Sequence, residues 1–307
     1  MNFGLTDDQA SVVNEVERML AGLPLHAHTQ PVVAPYSNTL DAALAESGFL
    51  DIAREDGFGT LDAALLTERV ARSQHIVEVA ASALVAPAIA IPAGVRPVAL
   101  VREHPTAPAR FLPKAGVLVA DLGDHALVID IDPARVQPVD SLFAYPYGKL
   151  DSLHGLQVRE IADVATLRRR WRIAIAAEAA GCMAGALALV VDHVKARHAF
   201  GRPLGAFQAI QHRLAMAAET VESCRWLALR AAWTDRDSDA AQAAGFAQGR
   251  IARISYDLHQ FTGAMGLTLE YPLHLWTYRL RALAGELGGA GAQARAAAAA
   301  AWPDDAA

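Results

Sequence analysis

The sequence lacks most of what would place it in several common classes, and each shortage excludes something. Among its 307 residues there are two cysteines, Cys182 and Cys224, both in apolar stretches and without a CxxC spacing. That excludes a disulfide scaffold and a cysteine-based metal centre, and leaves two small buried side chains in a reducing compartment. There is no excess of positive charge: 27 Lys and Arg stand against 33 Asp and Glu, for a net charge of −6. A nucleic-acid partner needs a basic face, so that class is set aside. The apolar run around Ala80 to Val95 is broken by Pro87 and Pro92 and is too short to cross a bilayer. The opening residues show no basic stretch ahead of an apolar core, so no secretory signal is expected and the cytoplasm is the expected location. The histidines, among them His193, His198, His212, His259 and His274, show no ligand spacing beside a carboxylate on one helix face, so no metal site is expected.

What is abundant is apolar. Hydrophobic residues make up 53% and charged residues 20%, with alanine concentrated towards the C-terminus. That balance predicts a mainly α protein with much buried surface, part of it between subunits. Three parts are expected: residues 1–92 helical, 93–160 a small β unit, and 161–307 a helical bundle. In the first, Thr6 and Gln9 have the form of a capping box, and Val12, Val16, Met19 and Leu20 share a helical face. A proline-rich loop with Pro24, Pro31 and Pro35 follows, then helices over Ala42–Phe49 and Leu61–Ala83, parted by Gly57 and Gly59. In the second, Val117–Ala120 and Ala126–Ile131 flank Leu122-Gly123-Asp124-His125 as a hairpin, and an antiparallel unit is expected. In the third, Phe207, Ile210, Leu214, Ala217, Val221, Cys224 and Ala228 recur in steps of three and four, the buried stripe of a long helix. Ile173–Val194 is apolar nearly all round and should be the central helix, with Gly181 and Gly185 permitting close approach; Ala296–Ala301 should be a frayed terminal helix.

The most informative stretch runs from Arg197-His198-Ala199-Phe200-Gly201-Arg202-Pro203-Leu204 to Phe207-Gln208-Ala209-Ile210. Read locally it is a helix end with a dipole-complementing arginine and a Gly/Pro turn, or equally a guanidinium set to grip a diphosphate beside an aromatic ring. The stretch closely resembles the acyl-CoA dehydrogenase pattern R-x-x-F-G-x-P-[ILV]-x-x-F-Q-[AS]-[IV]. A second stretch, His259-Gln260-Phe261-Thr262-Gly263-Ala264-Met265-Gly266 through Glu270-Tyr271-Pro272, is similar to that family's Q-x-x-G-G-x-G-[FY]-x-x-E-[YH]-P. Leu5-Thr6-Asp7-Asp8-Gln9 and Gly48-Phe49-Leu50 resemble its opening helices, so the likeness runs over nearly the whole chain.

The resemblance implies an acyl-CoA dehydrogenase-like fold and an FAD lying across a subunit interface. Carried over by residue, Arg197, Phe200, Gly201 and Gln208, with Gln260 and Gly263, match contacts to the adenosine diphosphate half. Ala264 stands where the family usually has a second glycine. The other half does not match. Residues 93–160 contain no Thr-Glu-Pro loop, which in the family covers the flavin ring. Removal of the α-proton needs a carboxylate, and the family's two positions for it fall here on Trp171 and Leu287. Glu286 lies one residue from the second and is the candidate base by a one-residue shift; the bland alternative is a solvent-facing helix-end glutamate. Glu178 reads as a buried polar contact, and Arg172 either matches a substrate-side arginine or belongs to the solvated first turn of a helix.

Three functions are therefore carried forward. The first is the shortened, base-less subunit of an α2β2 acyl-CoA dehydrogenase resembling the actinobacterial steroid-degradation type. Its partner subunit would supply the base, its substrate would be an acyl-CoA, and its acceptor an electron-transferring flavoprotein. The second is a self-sufficient dehydrogenase with Glu286 as base. The third is a scaffold that binds no flavin.

Overall fold

A computed structural model describes residues 4–24 and 36–302. The proline-rich stretch expected as a loop lies, apart from Pro24, outside the described residues. Helix α1 (Asp7–Ala21) starts at Thr6, whose hydroxyl accepts from Gln9 N while the Gln9 side chain accepts from Thr6 N, at 3.2 and 3.1 Å. Reciprocal capping satisfies two of the amides that every helix start leaves open. Helix α2 (Asn38–Glu46) and a 3-10 turn over Phe49–Arg54 follow, joined by Gly48 at φ +73°.

The helix expected over Leu61–Ala83 is two pieces. Helix α3 (Thr60–Ala71) ends early, and a π-helical turn over Ala81–Val85 follows. The cause is side-chain competition for the backbone. Ser73 Oγ donates to Val70 O at 2.8 Å, Ile76 is drawn into a bridge with Tyr36, and the buried Glu78 carboxylate restarts the coil by accepting from Ala81 N at 2.7 Å.

The β unit contains seven strands in two sheets. Strands β1 (Val98–Arg102), β3 (Val117–Asp121), β4 (Ala126–Asp130) and β7 (Val158–Ile161) form one, in that order. Strands β2 (Ala109–Arg110), β6 (Tyr147–Leu150) and β5 (Val136–Val139) form the other. The expected hairpin is β3–β4, paired from Val117↔Asp130 to Asp121↔Ala126. The unit is not wholly antiparallel, because β1 runs parallel to β3, Val98 opposite Val117. The chain leaves β1 for the second sheet at β2 before it returns, and that crossover reverses the direction available to it.

Helix α4 (Val164–Ala196) is the axis of the remainder, capped by Asp163, which accepts from Thr166 N at 3.0 Å. Its length and hydropathy would suffice to cross a membrane, but 78% of that apolar window is buried inside the protein. It is a core helix. A side chain on Gly181 would overlap the Glu68 carbonyl, and one on Gly185 the Arg72 carbonyl and Trp276 ring, so the two glycines set how closely α3 and α7 (His274–Leu283) approach. Helices α5 (Gln208–Thr234) and α6 (Asp237–Thr262) turn back on each other, and Arg169 at the start of α4 bonds Asp235 and Asp237 in that turn, at 2.9 and 3.2 Å. So α5 runs against α4 and α6 runs with it. The expected stripe on α5 is observed in its later part, where Ala217, Val221, Cys224 and Ala228 are buried; Ile210 and Leu214 are half-buried, and Phe207 lies just before the helix. Helix α8 (Gly289–Ala301) closes the bundle against α6, with Gly245 beside Gln293.

Candidate functional site

The topology puts the C-terminal ends of α4 and α6 and the start of α5 at one end of the bundle. Contacts there agree: Arg213 on α5 pairs with Asp257 on α6, and its Cζ lies 5.0 Å from the Phe261 ring centroid. Both sequence motifs therefore meet at this end. Arg197 caps α4, is exposed, and makes no side-chain ion pair among the described residues. Beyond it, β8 (His198–Ala199) and β9 (Arg202–Pro203) form a two-residue hairpin with Phe200 and Gly201 at its tip, at φ +53° and +79°. Two positive φ values are what a tight primed hairpin turn requires, and a phenylalanine there is strained. The effect is to hold the Phe200 ring 92% exposed. Phe207 meets it edge-on at 6.1 Å, and Arg202 stacks 4.1 Å from the Phe207 centroid.

Gln208 opens α5 and Gln260 lies in the last turn of α6, both exposed. Gly263 closes α6 at φ +59°, ψ −144°, a conformation readily open only to glycine. Ala264 is not among the positive-φ residues, so the missing second glycine imposes no backbone strain. This end thus offers an unpaired guanidinium, a presented aromatic ring, two amides and the N-terminal amides of α5. That donor set suits a diphosphate and a flat heterocycle.

The interior is different. Arg110 of β2 reaches Glu178 of α4 with Nη1 at 2.9 and 3.1 Å, and Glu286 with Nε at 2.5 Å. Glu286 opens a 3-10 turn, Glu286–Gly288, between α7 and α8. Tyr145 Oη donates to Glu178 at 2.7 Å, and Trp171 Nε1 donates to the second Glu286 oxygen at 2.7 Å. The Arg110 guanidinium lies 5.4 Å from the Phe111 centroid and 5.1 Å from that of Tyr145. Burial opposes its charge, but Glu178 and Glu286 outweigh that and raise its pKa well above the ordinary value. Burial, then the Glu178 charge, pushes the Tyr145 phenol well up, so it stays a donor. Phe111, Trp171 and Tyr145 are 2%, 3% and 4% exposed.

Residues 166–301 match the family model for the acyl-CoA dehydrogenase C-terminal domain. Over 124 residues the chain is 36% identical to acyl-CoA dehydrogenase FadE34 of Mycobacterium tuberculosis, which covers 38% of this chain and 17% of that one. Over 119 residues it is 33% identical to acyl-CoA dehydrogenase IpdE2 of the same organism, covering 39% and 36%. The chain thus aligns with well under half the length of these relatives. In structure it resembles the Tcur3481–Tcur3483 steroid ACAD, with a TM-score of 0.80 at 22% identity over 95% of this chain and 97% of that one. The ChsE4–ChsE5 complex of Mycobacterium tuberculosis gives 0.78 at 20% over 96% and 97%. Residues 166–301 belong to the acyl-CoA dehydrogenase C-terminal domain family, and the chain as a whole has an acyl-CoA dehydrogenase-like fold.

The two base positions read from the sequence, Trp171 and the neighbourhood of Leu287, are far apart in the chain but meet in space, through the Trp171–Glu286 hydrogen bond. Glu286 is not a solvent-facing helix end, because its side chain is 15% exposed. It is not a free base either, because both oxygens are engaged, by Arg110 and Trp171. Leu287 next to it is buried at φ +50°. Glu178 is the buried polar contact expected, and its partners are Arg110 and Tyr145.

The Arg168–Arg172 run is not a solvated first turn. Arg168 bonds Asp121, Arg169 and Arg170 bond Asp235, and Arg172 Nε donates to Gln293 on α8 at 2.8 Å. Burial lowers the Arg172 pKa, and its contact is internal.

Sequence reasoning missed Arg110 and Tyr145. A signal existed: one arginine in Ala109-Arg110-Phe111-Leu112-Pro113 and one glutamate in an otherwise apolar stretch of α4 are buried charges in need of each other.

Proposed function

We propose that this chain is one subunit of a hetero-oligomeric, α2β2, FAD-dependent acyl-CoA dehydrogenase. It lends the adenosine half of the flavin site to a partner chain that carries the base, the ring-covering loop and the acyl pocket. The observation that carries this reading is the contrast between an open, unpaired donor set at the bundle end and an interior in which the candidate base is clamped by Arg110. Arg197 would meet the diphosphate, Phe200 and Gly201 the adenosine beside it, and Gln208, Gln260 and Gly263 the remaining polar edge. Bound flavin supplies the acceptor for the β-hydride when the partner's carboxylate takes the α-proton. This chain's residues fit the adenosine end and not the ring, because Glu286 is engaged by Arg110 and Trp171 and residues 93–160 contain no Thr-Glu-Pro loop. The substrate class under this reading is an acyl-CoA thioester, with a steroid-derived thioester favoured by the family members it resembles. An electron-transferring flavoprotein is the natural acceptor, and the cytoplasm the compartment.

The test is the visible absorption spectrum of the chain purified alone and after co-expression with the chain encoded beside it. Expected is a flavin band only in the co-purified complex. A stoichiometric band in the lone chain would overturn the split site.

A further inference from the structure

Arg202 occupies the position between glycine and proline that the R-x-x-F-G-x-P pattern leaves open, and the flavin site proposed above gives it no part. Its place is set by the hairpin. Ala199 pairs with Arg202 and His198 with Pro203, and Leu204 N donates to Arg197 O at 2.8 Å, which continues the same register one step back. Arg197 is itself extended, at φ −79° and ψ 121°. Side chains alternate between the two faces of an extended ribbon. Arg197, Ala199 and Arg202 therefore share one face, with His198 and Pro203 on the other. Across the ladder Arg197 and Arg202 are diagonal neighbours, about 7–8 Å apart at the backbone and within reach for two long side chains. Ala199, opposite Arg202, adds only a methyl group to the space beside them.

The head of Arg202 is held as well. Its guanidinium stacks 4.1 Å from the centroid of Phe207, and Phe207 is fixed at the start of α5. Phe207 N donates to Leu204 O at 3.1 Å, and its carbonyl accepts from Ile210 N and Gln211 N at 3.0 Å. Gln211 Nε2 ties the same turn through Gly205 O at 2.8 Å. Taken alone, the stack is a surface cation–π contact. It nevertheless uses only a face of the planar group and leaves the N–H edge available. Neither Arg202 nor Arg197 spends that edge on an ion pair or a side-chain hydrogen bond among the described residues. Two guanidiniums on one face, one of them oriented by a ring and both with donors to spare, suit a ligand with two adjacent anionic groups.

We infer that Arg202 supplies a second cation to the diphosphate, beside Arg197, with Phe207 as the support that aims it. This role rests on the proposal that the bundle end is the adenosine side of an FAD site.

The test is the rate at which free-flavin fluorescence appears when the co-purified complex is diluted, at low salt and at physiological ionic strength. In Arg202→Gln, release should be about tenfold faster at low salt, the worth of one hydrogen bond to a charged group. The difference from the unsubstituted complex should narrow at the higher salt, because an exposed charge is screened. Arg202→Lys keeps the charge without the planar head, and its rate should fall between the two. Release within about twofold of the unsubstituted rate in Arg202→Gln at low salt overturns the second cation. An acceleration of equal size at both salt concentrations also overturns it, since Arg202 would then act only by packing on Phe207. Arg197→Ala, measured alongside, separates the two proposals. If it speeds release and Arg202→Gln does not, only the role of Arg202 falls; if neither does, the FAD reading of this end falls with it.

Discussion

The bundle end and the interior of this molecule treat charge in opposite ways. At the end, Arg197 has no ion pair among the described residues, and Phe200 is held in a strained left-handed turn with its ring in solvent. In the interior, Arg110 is buried and fully engaged by two carboxylates, with a phenol and an indole completing the set. Unspent groups kept at a conformational cost mark a surface that meets something else. Saturated groups mark a place where nothing further enters, since a clamped carboxylate is available neither as a base nor as a ligand. Under the proposed function, one region is arranged for binding and the other for holding the fold together.

The comparison can be broken most forcefully at Arg110. Arg110→Met leaves Glu178 and Glu286 buried without their cation, and a loss of about 3–5 kcal/mol in denaturant unfolding is expected. A loss below 1 kcal/mol would mean the interior is looser than its geometry. The corresponding change at the other region is Arg197→Ala. It should cost about 1.5–3 kcal/mol of flavin affinity in the complex, the range for a hydrogen bond to a charged group. The unfolding midpoint of the chain should barely move, because Arg197 is exposed; retention of flavin would remove this end from the site.

Glu286→Gln sharpens the division further. Turnover by the complex should stay within about twofold, while stability falls by about 1–3 kcal/mol as an engaged buried group is weakened. Loss of turnover with unchanged stability would restore Glu286 as a base.

The smallest effect expected is on pH dependence. Burial lowers the pKa of His259, beside the bundle-end motif, and of His274, from the usual 6.5. Both rings therefore bind protons more readily in the unfolded chain. The stability they contribute is present above pH 6.5 and is lost as pH falls through the lowered folded values. Thermal midpoints at pH 7.5 and 5.5 should fall with acidification, and the fall should be shallower in His259→Gln.

Much of this was legible in the residues. The capping box at Thr6, the β3–β4 hairpin, the glycines on α4 and the stripe on α5 are local or periodic signals, and each is where it was read. The helix expected over Leu61–Ala83 divides because Ser73 and Glu78 take over backbone groups that a periodic pattern assigns to the helix. The unit expected to be antiparallel contains a parallel pair because strand direction depends on where the chain crosses between sheets. Glu286 was read as an exposed end or a base because its partner, Arg110, lies 176 residues away.

By itself the sequence determined most of the elements and the two motifs, since these depend on neighbours within a few residues. Tertiary structure alone decided that Trp171 and Glu286 meet and that Arg110 joins Glu286 to Glu178. Those outcomes rest on side chains brought together from opposite ends of the chain, whose charges and volumes can only be balanced once the core has closed.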